Sequence, residues 1–114
     1  MSESIPLYEI GLSQEDPATE LVMSKLGGTL EKAKSVLSDI IEAKISVESK
    51  NPEGSRTHYD VTFTVITSNK QLIYTGEGWD ILKITDKLSK KLENELIKHD
   101  HNRQKKSIRK KGVN

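Results

Sequence analysis

At 114 residues the chain has room for one hydrophobic core and not two, and with 33% hydrophobic against 31% charged residues that core must be thin. No run approaches the ~18 apolar residues of a membrane span, and the lack of cysteine excludes disulfides, thiolate zinc sites and thiol nucleophiles. The net charge of +1 hides a segregation: residues 1–24 hold five acids (Glu3, Glu9, Glu15, Asp16, Glu20) and no Lys or Arg, whereas residues 79–111 hold eleven Lys or Arg against five acids.

The N-terminus has neither the basic patch nor the apolar run of a secretory signal, so a cytoplasmic location is expected. Ile5 to Leu12 reads as a strand, with Pro6 suiting an edge position or the strand's first residues. Asp16-Pro17 has the form of a helix N-cap followed by proline in the first turn. Val22, Leu26, Leu30, Ala33 and Leu37 then recur at helical spacing. Gly27-Gly28 interrupts that pattern, and each glycine costs a helix about 1 kcal/mol relative to alanine. Either one kinked helix or two short ones, the second capped by Thr29, is therefore expected.

Ile41 to Glu48 alternates apolar and polar residues without a break, and Tyr59 to Val65 does the same with β-branched and aromatic residues. Both read as strands with one face on the core and one face wet. The polar stretch Ser49 to Ser55, with Pro52 and Gly54, is expected as the loop between them. Ser68-Asn69-Lys70 then turns the chain into a third strand, Gln71 to Thr75, completing an antiparallel meander.

Gly76-Glu77-Gly78 ends the meander, and a helix is expected to start near Trp79 or Asp80. Setting residues at roughly 100° each sorts this helix by face. Ile81, Leu88 and Leu92 form one stripe, flanked by Ile84, Thr85 and Leu96. Lys83, Lys87, Lys90, Lys91, Lys98, His101 and Lys105 fall within a sector of roughly 100°, away from that stripe. Asp86, Glu93 and Asp100 take a third side, while Leu82 and Ile97 stray from the apolar stripe and Glu95 lies near it. Solubility is served as well by mixed signs as by sorted ones, so the lysine sector suggests a polyanion. Beyond residue 99 the sequence has almost no apolar anchor. Residues 1–102 are accordingly expected as a single domain and 103–114 as a disordered basic tail. The fold class expected is α+β, in the order β-α-β-β-β-α, with a four-stranded sheet and two helices on one face.

Catalytic chemistry finds little footing. His99 and His101 stand two apart, which on a helix points them to different sides. His58 stands where a strand begins, and the acids form no local pair suited to proton transfer. Gly76-Glu77-Gly78 lacks both the third glycine of a dinucleotide fingerprint and the Gly-Lys-Ser/Thr of a phosphate loop. No enzyme activity, cofactor, metal or small-molecule substrate is expected. A lysine row can instead contact several phosphates and release their counterions without reading a base. Trp79 is expected as a core plug between the last strand and the helix, leaving no aromatic platform for single strands. Folded RNA recognised by shape and charge is the better match.

Two stretches, Leu37-Ser38-Asp39-Ile40-Ile41-Glu42-Ala43-Lys44-Ile45-Ser46-Val47-Glu48 and Asp86-Lys87-Leu88-Ser89-Lys90-Lys91-Leu92, together with the element order, resemble the ribosome hibernation-promoting factor family. That family is also called the ribosome-associated inhibitor or sigma-54 modulation family. The second stretch is similar to its Asp-Lys-Leu-x-Arg-x-Leu segment. Gly78-Trp79-Asp80 stands where the family carries Asp-Met-Tyr, and Asn94 and Leu96 stand where further lysines are common. The resemblance implies a monomeric, short-form factor that binds the small ribosomal subunit and its rRNA near the decoding centre. Such factors occlude messenger and transfer RNA sites and silence idle ribosomes. By position it implies rRNA contacts from Lys87, Lys90 and Lys91. Lys83 and Lys98 join them on the same helical face, Lys32 and Lys34 offer a second row from the first helix, and Arg103, Lys105 and Lys106 extend the contact. Two other readings stay open from the residues themselves. One is a general structured-RNA module laid out like a double-stranded RNA-binding domain. The other is a protein-interaction module pairing through a strand edge or the acidic N-terminal segment.

Overall fold

A computed structural model describes residues 5–13, 15–51, 54 and 56–112, with 99–112 as backbone only. Its elements are β1 (Leu7–Ile10), α1 (Pro17–Lys34), β2 (Ile40–Lys50), β3 (His58–Thr67), β4 (Gln71–Gly78) and α2 (Ile81–Gly112). The sheet has the order β1-β2-β3-β4. β1 runs parallel to β2 (Leu7 opposite Ala43), and the remaining neighbours are antiparallel, with Phe63 opposite both Ile45 and Tyr74. The expected order and class hold. β2 is longer than expected, because Ser49 and Lys50 stay paired with Tyr59 and His58.

Alternation along the strands sets the two faces. Ala43, Ile45 and Val47 of β2 and Val61, Phe63 and Val65 of β3 point to one side and are buried. Val22, Leu26, Leu30 and Ala33 of α1, with Ile84, Leu88 and Leu92 of α2, close over them as a single core. The opposite sheet face is open and carries exposed Tyr8, Ile10 and Ile73. Leu37, part of the helical series in the sequence, lies past the end of α1 but remains in the core.

α1 begins as expected, with Asp16 Oδ1 accepting from the Ala18 amide at 2.9 Å. It does not split at Gly27-Gly28: one helix of 18 residues passes through both. Burial of Val22, Leu26, Leu30 and Ala33 along one face supplies more than the two glycines cost. Thr29 is no cap; its hydroxyl is buried between the helices, 2.5 Å from the Ser89 hydroxyl and 3.1 Å from the Lys25 carbonyl. A Cβ at Gly27 or Gly28 would meet nothing within 4 Å. The Gly27→Ala/Gly28→Ala variant is therefore expected to be more stable by about 1–2 kcal/mol, seen as a higher urea midpoint with unchanged slope. A lower midpoint would contradict the open surroundings of this turn.

At Gly76 the requirement is different, because a Cβ there would lie 3.1 Å from Ile84 Cγ2 and 3.6 Å from Leu88 Cδ2. Glycine at this point lets α2 lie close on β4. α2 has 32 residues, about 48 Å at 1.5 Å each, and the last buried side chain among those described is Leu96. The α2 backbone runs on through 103–112. Extending an existing helix needs no new nucleus, and Lys, Arg and Gln have good helical propensity.

Candidate nucleic-acid interface

The lysine sector of α2 depends on where the helix starts and which way it docks. Asp80 fixes the start: its Oδ1 accepts from the amides of Leu82 (3.0 Å) and Lys83 (3.2 Å). This carboxylate also complements the positive end of the helix. Docking is fixed by buried Ile81, Ile84, Leu88, Leu92 and Leu96. Lys83, Lys87, Lys90 and Lys98 are consequently all exposed. Among the described residues none of these four ammonium groups has an ion pair or a side-chain hydrogen bond. These four cations thus share one outward helix face.

The other expected contacts divide. Lys91 turns toward the sheet, and its Nζ donates to the Thr75 carbonyl at 2.7 Å, tying α2 to β4. Lys32 reaches Glu93 at 3.2 Å, and Lys25 reaches Asp86 at 3.7 Å. Asp86 and Glu93, two of the acids that the helical sorting put on a third side, thus face α1. Asp86 and Glu93 repeat at the same seven-residue spacing as Lys25 and Lys32, so two parallel helices meet in matched pairs. Exposed pairs of this kind contribute about 0–1 kcal/mol each, but they remove Lys32 from the set of free charges. Lys34 also already interacts within the chain. The side chains of Arg103, Lys105 and Lys106, and of His99 and His101, lie outside the described residues.

Trp79 departs from expectation. It is 43% exposed, not a core plug. Ile84 takes that place, its side chain filling the space above Gly76 and Gly78. Outside the core, the indole has the Arg56 guanidinium 4.8 Å from its ring centroid. The His58 ring meets it edge-on, with centroids 4.9 Å apart and planes at 77°. An open cleft of about 280 Å³ runs from Arg56 and Trp79 to Lys83 and Lys87, so the indole joins the lysine face. Sequence patterning missed Arg56 and Trp79; the usable signal was the pair of glycines at helix-facing positions, which leaves the next large side chain no room inside.

Among the described residues two ionisations are displaced. Lys50 is held protonated beyond its ordinary range by Glu48 first and Asp60 second, at 3.3 and 3.7 Å. Burial, then the Glu95 carboxylate, pushes the Tyr74 phenol up to about 12, and its hydroxyl has no hydrogen-bond partner among the described residues. Neither shift moves a group toward neutral pH. Among the described residues no cluster of His, Asp or Glu could hold a metal ion, and no helix is long and apolar enough to cross a membrane.

The fold is shared with solved structures. A ribosomal subunit interface protein from Coxiella burnetii superposes with a TM-score of 0.54 at 21% identity, covering 85% of this chain and 97% of that one. The N-terminal domain of Protein Y from Thermus thermophilus gives 0.50 at 13% identity, covering 82% and 96%. No family model matches the sequence, and no curated protein matches it. At such identities the likeness is one of fold.

Proposed function

We propose that this protein binds the ribosome, on the small subunit near the decoding centre, and inhibits translation by occupying space rather than by chemistry. The observation that carries this reading is the set of four lysines, Lys83, Lys87, Lys90 and Lys98, exposed on the outward face of α2 and without an ion pair among the described residues. A lysine row on a rigid helix suits phosphates spaced along folded RNA, and the fold that presents it is also that of a ribosomal subunit interface protein. The resemblance in Leu37–Glu48 and Asp86–Leu92 supports the same target. On this reading the factor works in the cytoplasm as a monomer, without cofactor, membrane or small-molecule substrate.

The test is co-sedimentation with purified small subunits from low to moderate salt, beside large subunits and a plain RNA duplex. Retention on the small subunit alone is expected. Equal binding to the duplex would replace this reading with a general structured-RNA module, and no binding to either would overturn it.

The domain limit at 102 enters the proposal as a functional one. Residues 103–114 add Arg103, Lys105, Lys106, Arg109, Lys110 and Lys111 beyond the last core residue of α2. Ending the chain after Asn102 is expected to leave thermal stability unchanged within about 0.5 kcal/mol. Subunit affinity should fall, and the dependence of log K on log salt should flatten by about 0.9 for each phosphate that the shortened chain no longer neutralises. An unchanged slope would take the tail out of the interface.

A further inference from the structure

We infer that Trp79, with Arg56, Lys83 and Lys87, forms a stacking site for one unpaired nucleobase and its phosphates. The inference rests on the RNA-binding reading above and refines it, because it adds a single-stranded element to recognition by shape and charge. A half-exposed indole is a costly surface to leave in water, and here it forms one wall of a cleft whose other walls carry three cations. The volume of about 280 Å³ lies just below the roughly 300–1,000 Å³ of pockets that enclose a whole small ligand, which suits one ring system and not a cofactor.

The geometry supplies both planes that a base needs. The Arg56 guanidinium already lies over the indole, 4.8 Å from the ring centroid, and Arg56 is exposed, with no carboxylate pairing it among the described residues. A base stacking on the indole displaces the guanidinium outward and takes it on its own far face. His58, edge-on at 4.9 Å, braces the indole from the side. Lys83 and Lys87, one helical turn apart, stand where the phosphates flanking that base would pass. Two acids, Glu77 and Asp80, also line the cleft, and its three cations leave the lining net positive. Asp80 Oδ1 is occupied by two α2 amides, and Glu77 is exposed to solvent.

Trp79 is the only tryptophan, so its fluorescence reports this site alone. The probes are a ten-nucleotide oligoadenylate and a blunt RNA duplex of equal length, titrated into the full chain. Quenching by the single strand at salt where the duplex gives none is expected. Trp79→Ala should lower small-subunit affinity about 5- to 100-fold with the salt slope unchanged, because stacking releases no counterion. Trp79→Phe should recover part of that loss, and Arg56→Ala should weaken quenching of the indole without lowering the melting temperature. No quenching by the single strand, or Trp79→Ala binding subunits like wild type, overturns the stacking site and leaves ribosome binding standing. Wild-type protein that is quenched by the oligoadenylate but does not sediment with subunits overturns the ribosomal reading and keeps the site.

Discussion

Reversing Lys83, Lys87 and Lys90 together to glutamate is expected to lower small-subunit affinity by roughly a hundred- to a thousand-fold near physiological salt. Each neutralised phosphate releases close to one counterion, so removing three cations should flatten the plot of log K against log salt by about 3. Lys91 is left out because its ammonium holds the Thr75 carbonyl, and its reversal would also disturb the seat of α2 on β4. All three chosen residues are exposed, and none has an ion pair among the described residues. Stability should therefore change by no more than about 0.5 kcal/mol per site. At position 83, in the first turn of α2, an acid would even oppose the helix dipole less than lysine does. The control is Lys44→Glu/Lys70→Glu, because both lysines are exposed away from α2, Lys44 on the open sheet face and Lys70 in the turn before β4. An equal loss per reversed charge in the two variants would mean that net charge, and not the α2 face, governs binding.

The lysine face is readable from sequence because it depends on one helix and one period. Any helix over 81–98 must put Lys83, Lys87, Lys90 and Lys98 together, whatever the rest of the chain does. The strand faces are readable for the same reason, since Ile45, Val47, Val61, Phe63 and Val65 alternate and are all buried. Features set by two elements at once escape such a reading. The pairing of Lys25 and Lys32 with Asp86 and Glu93 needs the relative register of α1 and α2, which no single-helix projection contains. Thr29 reads as a cap because Gly27-Gly28 reads as a break. It is instead a buried hydroxyl satisfied across the helix pair, and packing at Leu26 and Leu30 overrides the local glycine cost. Size and hydrophobicity point Trp79 to the core, yet the close approach of α2 at Gly76 fills that space with Ile84.

That close approach also governs the largest expected change in stability. Leu88 is fully buried on the stripe that docks α2, facing the strand that carries Gly76. Leu88→Ala is expected to cost about 2–5 kcal/mol, the lost transfer free energy plus the cavity left between two rigid elements. For a domain of this size, whose total stability is of the order of 5–15 kcal/mol, that is from about an eighth of the whole to all of it. Gly76→Val on its own should cost about 1–3 kcal/mol, because its methyls would press into Ile84 and Leu88. Combined, the two should cost less than their sum by at least about 0.5 kcal/mol, since the valine then occupies space the leucine vacates. Urea denaturation of the four proteins in this cycle measures the difference. Strict additivity would mean that the two residues do not share a cavity, and α2 would then have to sit elsewhere on the sheet. Because Lys83, Lys87 and Lys90 point away from that cavity, the Leu88→Ala protein should keep its subunit affinity wherever it remains folded. Binding that fails ahead of the unfolding transition would mean that the lysines act only from a helix held tightly against β4.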